Sequence, residues 1–122
     1  MLKLSPLAKT WIFDVDGTIV KHNGHKIDGH DTLLEGVKVF FDNLALEDKV
    51  ILLTARKEHE LEELKSFLKN NNIRYDYILS DMPVGERILV NDKKPSGLST
   101  SYAVNKERDE ALDIKYVVDK NL

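Results

Sequence analysis

Short runs of apolar residues recur along the chain, and the stretches between them carry apolar residues at every third or fourth position. Continuous apolar runs of this length are typical of parallel strands that are covered on both faces. They predict six strands, over residues 11–13, 50–53, 77–79, 87–90, 101–104 and 116–118. The pattern therefore indicates a sheet in which most strands are parallel.

Helical spacing marks three of the intervening stretches. The predicted helices cover residues 32–44, 61–69 and 106–112. The first begins with a capping box, in which Thr32 caps the helix and Glu35 reaches back to it. The second carries three leucines on one stripe and ends at a run of asparagines over residues 70–72.

Strands that alternate with helices require right-handed crossovers and place helices on both faces of one sheet. We therefore expect an α/β fold, a three-layer, Rossmann-like α/β/α domain over residues 1–122 with a mostly parallel sheet. Residues 20–30 hold two glycines and three of the four histidines, and they are expected to form a hairpin or flap. A large cap is not expected, because residues 17–49 and 80–86 leave no room for one.

Composition narrows the classes of function. The net charge is −3 and no run of lysine or arginine exceeds two residues, which argues against an extended nucleic-acid interface. There is no cysteine, so disulfides and thiolate metal sites are excluded. No apolar run approaches the ~20 residues needed to cross a bilayer, and residues 1–10 are too interrupted for a signal peptide. We expect a cytoplasmic protein with no membrane or nucleic-acid partner.

Polar residues follow three of the predicted strands. Asp14 and Asp16 come directly at the end of the first strand. Thr54 follows the second strand, and Asp92 follows the fourth. Ligands bind beyond the carboxyl ends of strands in such sheets, so these side chains are expected to surround one site. Buried carboxylates there imply a metal ion or a catalytic role, and Gly17 suits a sharp turn or a closely approaching ligand.

Residues 14–18, Asp-Val-Asp-Gly-Thr, follow an apolar strand and resemble motif I of the haloacid dehalogenase-like phosphohydrolases. The resemblance extends over about residues 10–105, because the later Thr54 and Asp92 occur in the order that the family has them. It implies that Asp14 is the nucleophile, which forms an aspartyl-phosphate, and that Asp16 is the general acid and base. The implied activity is Mg²⁺-dependent hydrolysis of a phosphate monoester.

The resemblance also implies two sets of ligands. Mg²⁺ prefers oxygen ligands, and those implied here are Asp14, Asp16, Asp92 and the backbone carbonyl of Val15. The residues implied at the phosphate group are Thr54, Ala55, Arg56 and Gly17. Asn91 stands where many members of the family have a second acidic residue, so water or Asn91 is expected to assist the metal.

A basic residue that neutralises the nucleophile and the phosphate is also implied, and motif I does not identify it. Lys94 lies two residues beyond Asp92, past the predicted strand end, and we expect it to take this catalytic role. Arg87 begins the same predicted strand, which would place its Cα ~16 Å from that of Asp92. We therefore expect Arg87 to serve stability, with Lys65 and Lys69 as outside alternatives.

An open site suits a large substrate, or a small one when a neighbouring subunit closes the entrance. We therefore expect a homo-oligomer or a large substrate. Among the small phosphorylated substrates a sugar phosphate is favoured, because the acidic charge disfavours nucleic-acid ends.

A different class of function remains open, a non-catalytic phosphoacceptor or phosphate-binding module with a similar pocket. The presence of Asp16 favours an enzyme, because an acid and base has no purpose in a mere acceptor. His22 and His25 of the flap are expected to be solvated turn residues, with a substrate contact or a metal pair as the alternatives.

Overall fold

The computed structural model describes all 122 residues and contains two small parallel sheets with few helices. The strands are β1 (Leu2–Leu4), β2 (Thr10–Asp14), β3 (Lys49–Leu53), β4 (Tyr77–Leu79) and β5 (Tyr116–Val118). The α-helices are α1 (Gly24–Ile27), α2 (Val37–Asp42) and α3 (Leu61–Asn70), the last preceded by a 3₁₀ turn over Glu58–Glu60. None of these helices has the length and apolar character that crossing a membrane requires. The predicted α/β class is confirmed.

The larger sheet has the strand order β2–β3–β4, and both pairs of strands are parallel. Leu52 lies at its centre, opposite Phe13 on one side and Ile78 on the other. Val50 and Leu52 are fully buried, because β3 has a strand on each side and apolar cover from the core. Three leucines of α3 belong to the same core cluster, so the predicted apolar stripe of this helix is confirmed.

The smaller sheet pairs β1 with β5 in parallel, with Leu2 opposite Tyr116. The strand predicted over residues 116–118 is therefore confirmed, although its partner is β1, which no apolar run predicted. Trp11 of β2 packs against the ring of Tyr116 at 5.3 Å between centroids. This aromatic contact places the smaller sheet beside the larger one.

Three predicted elements are absent. Residues 80–115 contain neither helix nor strand, so the strands predicted over 87–90 and 101–104 and the helix over 106–112 were wrong. Ile88 and Val90 are 86% and 89% exposed, and an apolar run forms a strand only where a neighbouring strand and apolar cover are available. Within 106–112 the left-handed backbone of Asp109, at φ 63°, interrupts any helix.

The helix predicted from residue 32 begins five residues later, at Val37, and the capping box is not formed. The backbone carbonyl of Thr32 accepts the N–H of Lys21 at 3.0 Å, which holds this segment extended against the chain after β2. Gly36 caps α2 with φ 83°, and a Cβ at this position would lie 2.4 Å from the carbonyl oxygen of Leu112. Only glycine fits there, and this glycine fixes the start of α2.

Candidate active site at the end of strand β2

The chain turns directly after β2, and this turn presents Asp14 and Asp16 at the carboxyl end of the larger sheet. Val15 between them is fully buried, and its carbonyl oxygen accepts three backbone N–H groups at distances from 2.9 to 3.3 Å. Gly17 adopts φ 88° and donates its N–H to the carbonyl of Val20 at 2.8 Å. The glycine thus allows a turn tight enough to place two carboxylates together.

Both carboxylate oxygens of Asp16 have partners. Thr54 follows β3, is fully buried, and donates its hydroxyl to Oδ2 of Asp16 at 2.9 Å. Arg56 donates Nε and Nη2 to Oδ1 of the same carboxylate at 3.1 and 2.8 Å. The structure therefore brings together the ends of β2 and β3 as predicted, and here Thr54 and Arg56 bond a carboxylate.

The guanidinium of Arg56 also binds a second carboxylate, that of Asp31. Nη1 lies 3.1 Å from Oδ2 and Nη2 lies 2.7 Å from Oδ1 of Asp31. Burial opposes the charge of Arg56, but the hydrogen bonds to Asp31 and Asp16 outweigh it and raise the pKa of the guanidinium above its usual value. The guanidinium of Arg56 is thus paired with the carboxylates of both Asp16 and Asp31.

Asp14 is the more accessible of the motif's two carboxylates, with 36% of its side chain exposed against 18% for Asp16. Its Oδ1 accepts Nη1 of Arg87 at 3.1 Å, and its Oδ2 accepts the hydroxyl of Thr18 at 3.3 Å. Burial raises the pKa of Asp14 above its ordinary value, although Arg87 acts in the opposite direction. A partly desolvated carboxylate facing an open cavity suits a nucleophile.

The expected location of Arg87 was wrong. It was placed far from the site on the assumption that residues 87–90 form a strand, and no strand is present there. The free backbone lets the guanidinium reach Asp14, which is the position expected of the basic residue. Lys94 lines the same cavity as Asp14, but its Nζ makes no hydrogen bond or ion pair, and its catalytic role stays a prediction.

The cavity beside β2 has a volume of about 670 Å³. Thr18, Asn91 and Asp92 line it together with Asp14, and much of the remaining wall is apolar. Asp92 lies in an exposed loop rather than at a strand end, and the hydroxyl of Thr100 donates to its backbone carbonyl. Asp92 thus lines the same cavity as Asp14, but it does so from a loop and not from the predicted strand end.

The predicted Mg²⁺ ligands do not gather into one metal site. Arg87 is paired with the carboxylate of Asp14, and Arg56 is paired with that of Asp16. The carbonyl of Val15 already accepts backbone N–H groups. No three histidine, aspartate or glutamate side chains lie close enough to hold an ion. Asp14 and Asp92 nevertheless line one cavity with the hard oxygen donors that Mg²⁺ prefers. Mg²⁺ binding stays a prediction.

Two cations near Gly17 were not predicted. Lys106 donates Nζ to the carbonyl of Gly17 at 3.2 Å, and the Cγ of Arg108 lies 3.2 Å from where a Cβ of Gly17 would stand. Ala55, the remaining residue predicted at the phosphate, is exposed next to Thr54. Lys106 and Arg108 were not predicted at the site because the pattern of residues 106–112 predicted a helix with no functional role.

The flap contains a histidine whose two ring nitrogens are buried. His25 was expected to be solvated, but its side chain is only 12% exposed and neither ring nitrogen has a hydrogen-bond partner. Its nearest anions are Asp31 and Glu60, each 3.8 Å from a ring nitrogen. The expectation for His25 was therefore wrong.

Asp31 is the residue of this site that sequence reasoning missed entirely. It stands between the flap and the predicted capping box, and no periodicity or motif marks it. The available signal was indirect: Arg56 comes three residues after the end of a buried strand, and a guanidinium has more donors than one carboxylate accepts.

The geometry defines an α/β protein with paired carboxylates and two arginines at the end of a parallel strand. No family model matches the chain, and no solved structure matches it. Among curated proteins, UvrABC system protein B of Bacteroides fragilis (strain YCH46) is 33% identical over 88 residues, which are 71% of this chain. The chain spans only 12% of the length of that relative. The relative is not a haloacid dehalogenase-like phosphohydrolase, so the match does not support that resemblance.

Proposed function

We propose that the protein is a haloacid dehalogenase-like phosphatase that hydrolyses a phosphate monoester through an aspartyl-phosphate on Asp14. The observation that carries the proposal is the convergence of Asp14, Asp16 and Thr54 at one sheet edge, with two arginines bound to the carboxylates. Phosphoryl transfer depends mainly on positioning and on charge stabilisation, and this site offers both.

In the first step a carboxylate oxygen of Asp14 attacks phosphorus, and the bond from phosphorus to the leaving oxygen breaks. Oδ2 is the better candidate, because Oδ1 is paired with Arg87 while Oδ2 has only a long hydrogen bond from Thr18. The side chain of Arg87 is 40% exposed, and the remaining N–H groups of its guanidinium suit phosphate oxygens.

Asp16 acts twice in the proposed reaction. It protonates the departing alkoxide, and it then removes a proton from the water that attacks the phosphorus of the intermediate. That second attack releases inorganic phosphate and restores the carboxylate of Asp14. The bonds from Thr54 and Arg56 fix the orientation of Asp16 beside the nucleophile.

Mg²⁺ is part of the proposal, with Asp14 and Asp92 as the carboxylates that would hold it. When bound, it supplies positive charge that offsets the repulsion between the acidic site and a phosphate dianion.

A small sugar phosphate, a homo-oligomer that shields the open site, and a cytoplasmic location also belong to the proposal. A three-layer, Rossmann-like arrangement is proposed as well. It is supported by the parallel pairing of β2, β3 and β4, and by the helix α3, which lies between β3 and β4 in the chain.

One observation favours the non-catalytic alternative. Both oxygens of Asp16 already accept hydrogen bonds, from Thr54 and Arg56, so neither oxygen is free of a donor within the protein. A phosphoacceptor module would need no proton transfer from this residue.

The test is a turnover screen of the purified protein with Mg²⁺ against a panel of aryl, sugar and alkyl phosphates, with release of inorganic phosphate as the readout. We expect catalytic release from at least one ester. Protein that accumulates a stable acyl-phosphate from acetyl phosphate but turns over no ester would instead establish the phosphoacceptor alternative.

A further inference from the structure

A buried ion triad lies beneath the proposed site, formed by Asp16, Arg56 and Asp31. The side chains of Arg56 and Asp31 are only 4% and 1% exposed. None of the roles described so far requires Asp31. We propose that Asp31 is a positioning residue, which holds Arg56 in the orientation that fixes Asp16. This inference rests on the proposed function.

The hydrogen bonds of Arg56 divide its guanidinium between the two carboxylates. Nε and Nη2 bond one oxygen of Asp16, while Nη1 and Nη2 bond the two oxygens of Asp31. The Asp31 contact is a bidentate pair, which is the arrangement that constrains the plane of a guanidinium most strongly. The plane set by Asp31 then determines where the remaining donors meet Asp16.

The side chain of Asp31 accepts hydrogen bonds from Arg56 alone. The ring of His25 is its nearest other partner, and at 3.8 Å it is too far to donate a hydrogen bond. A single carboxylate would already neutralise Arg56, and burying a second one costs free energy. What the second buried carboxylate, that of Asp31, provides is a constraint on the orientation of Arg56.

This arrangement also separates the two arginines by role. Four N–H donors of Arg56 are engaged by carboxylates in a buried position, whereas Arg87 is partly exposed beside Asp14. Arg56 therefore acts on Asp16, and Arg87 is the arginine that remains available to the phosphate.

A positioning role for Asp31 has a kinetic signature. An acid that protonates the leaving oxygen matters greatly for an alkyl ester, whose alkoxide leaves poorly. It matters little for the release of p-nitrophenolate, which leaves unaided. Hydrolysis of the intermediate is common to both esters, so the comparison is made on the first step, as the single-turnover rate at which excess protein releases the leaving group. Misplacement of Asp16 should slow this release selectively for the alkyl ester and leave the protein concentration for half-maximal rate nearly unchanged, because the binding groups are untouched.

The test compares Asp31→Asn with Asp48→Asn on a simple alkyl phosphate and on p-nitrophenyl phosphate. Asp48 is a matched control, since it is also buried, at 5% exposed, but bonds Trp11 and the backbone of Lys9 instead of the triad. We expect Asp31→Asn to slow single-turnover release of the alkyl leaving group at least tenfold, toward the ~10²–10⁴-fold that proton transfer contributes, and release of p-nitrophenolate less than threefold. Asp48→Asn should change both equally.

Equal slowing of release from the two esters in Asp31→Asn, or no slowing for the alkyl ester, would overturn the inference. If Asp31→Asn does not fold, Arg56→Lys serves instead, because lysine keeps the charge but cannot bond both carboxylates as a fork. It should show the same selective loss, and a wild-type rate of release from the alkyl ester would overturn the inference. Absence of hydrolysis of either ester by the wild type would overturn the proposed function itself.

Discussion

Residues 10–79 and residues 80–115 carry similar short apolar runs, yet only the first region folds into strands and helices. In the first region Leu52 is fully buried between two parallel strands. In the second, Leu89 is 57% exposed and no strand forms around it. The difference shows that an apolar run specifies a strand only together with the partner that covers it.

The residues of the proposed site come from both of these regions. Asp14, Asp16 and Thr54 come from the first region and are positioned by the sheet and its buried hydrogen bonds. Arg87 and Asp92 come from the second region and approach the same place on exposed loop backbone. The first region therefore supplies the proposed nucleophile and acid from the sheet and its buried hydrogen bonds, and the second supplies charges from exposed loop backbone.

Removal of Mg²⁺ tests whether the two regions act as one site. Excess EDTA should lower the rate of phosphate release below about a thousandth of its value, which corresponds to ~4 kcal/mol of barrier, and added Mg²⁺ should restore it. Asp92→Asn should raise the Mg²⁺ concentration needed for half-maximal rate, measured by titration of activity.

The control for that titration is Asp113→Asn, because Asp113 is 69% exposed and pairs only with Lys115. An equal rate in EDTA and in Mg²⁺ would contradict a metal-assisted site shared by the two regions.

The same substitution in each region measures the packing difference directly. Leu52→Ala should lower the free energy of unfolding by about 2–5 kcal/mol, because it leaves a cavity in a buried core. Leu89→Ala should change it by less than about 0.5 kcal/mol, since an exposed side chain loses little on truncation. Urea unfolding of both variants gives the two values. A cost for Leu89→Ala similar to that of Leu52→Ala would mean that residues 87–90 are packed in solution.

Arg87 and Lys94 compete for the role of the basic residue within the second region. Lys94 was the choice from the sequence, with at least a tenfold loss of kcat/KM predicted for Lys94→Ala. The contact between Arg87 and Asp14 now predicts that Arg87→Ala lowers kcat/KM at least tenfold, ~1.4 kcal/mol, and by more than Lys94→Ala does. Steady-state kinetics of both variants on one ester decide between them, and a dominant effect of Lys94→Ala would restore the first choice.

The smallest predicted effect concerns the pH dependence of stability. Burial raises the pKa of Asp14 in the folded chain, so its stabilising contribution is complete below the unfolded pKa of ~3.9 and is lost as pH rises through the folded pKa. Asp14→Asn should therefore be slightly more stable than the wild type at pH 7, by less than the Leu52→Ala effect.

That difference should shrink to zero as the pH falls below ~4. Thermal unfolding in EDTA across this pH range measures it without interference from bound cations. A variant that is less stable than the wild type at pH 7 would show that Arg87 outweighs burial at this carboxyl.

The sequence was sufficient for the parts of the fold that depend on local pattern and immediate neighbours. The apolar run at residues 50–53 and the leucine stripe of α3 identified their elements, and the Asp-x-Asp spacing placed both carboxylates at the end of β2. These features are encoded within a few residues of one another. The parallel pairing of β2, β3 and β4 then follows from connections that require crossovers.

Features that depend on distant contacts were not predictable in this way. The capping box of Thr32 competes with a backbone hydrogen bond from Lys21, and the tertiary pairing prevails. Asp31 meets Arg56 only because the fold brings the two side chains together. Arg87 was misplaced because an exposed apolar run has the same pattern as a buried one.

The most direct test of the account is the kcat of Asp14→Asn relative to the wild type, on the ester that the wild type hydrolyses best in saturating Mg²⁺. Circular dichroism and urea unfolding establish first that the variant is folded. If Asp14 is the nucleophile, kcat falls to less than about a thousandth of the wild-type value, ~4 kcal/mol of barrier. A folded Asp14→Asn variant that retains more than that fraction would contradict the central claim.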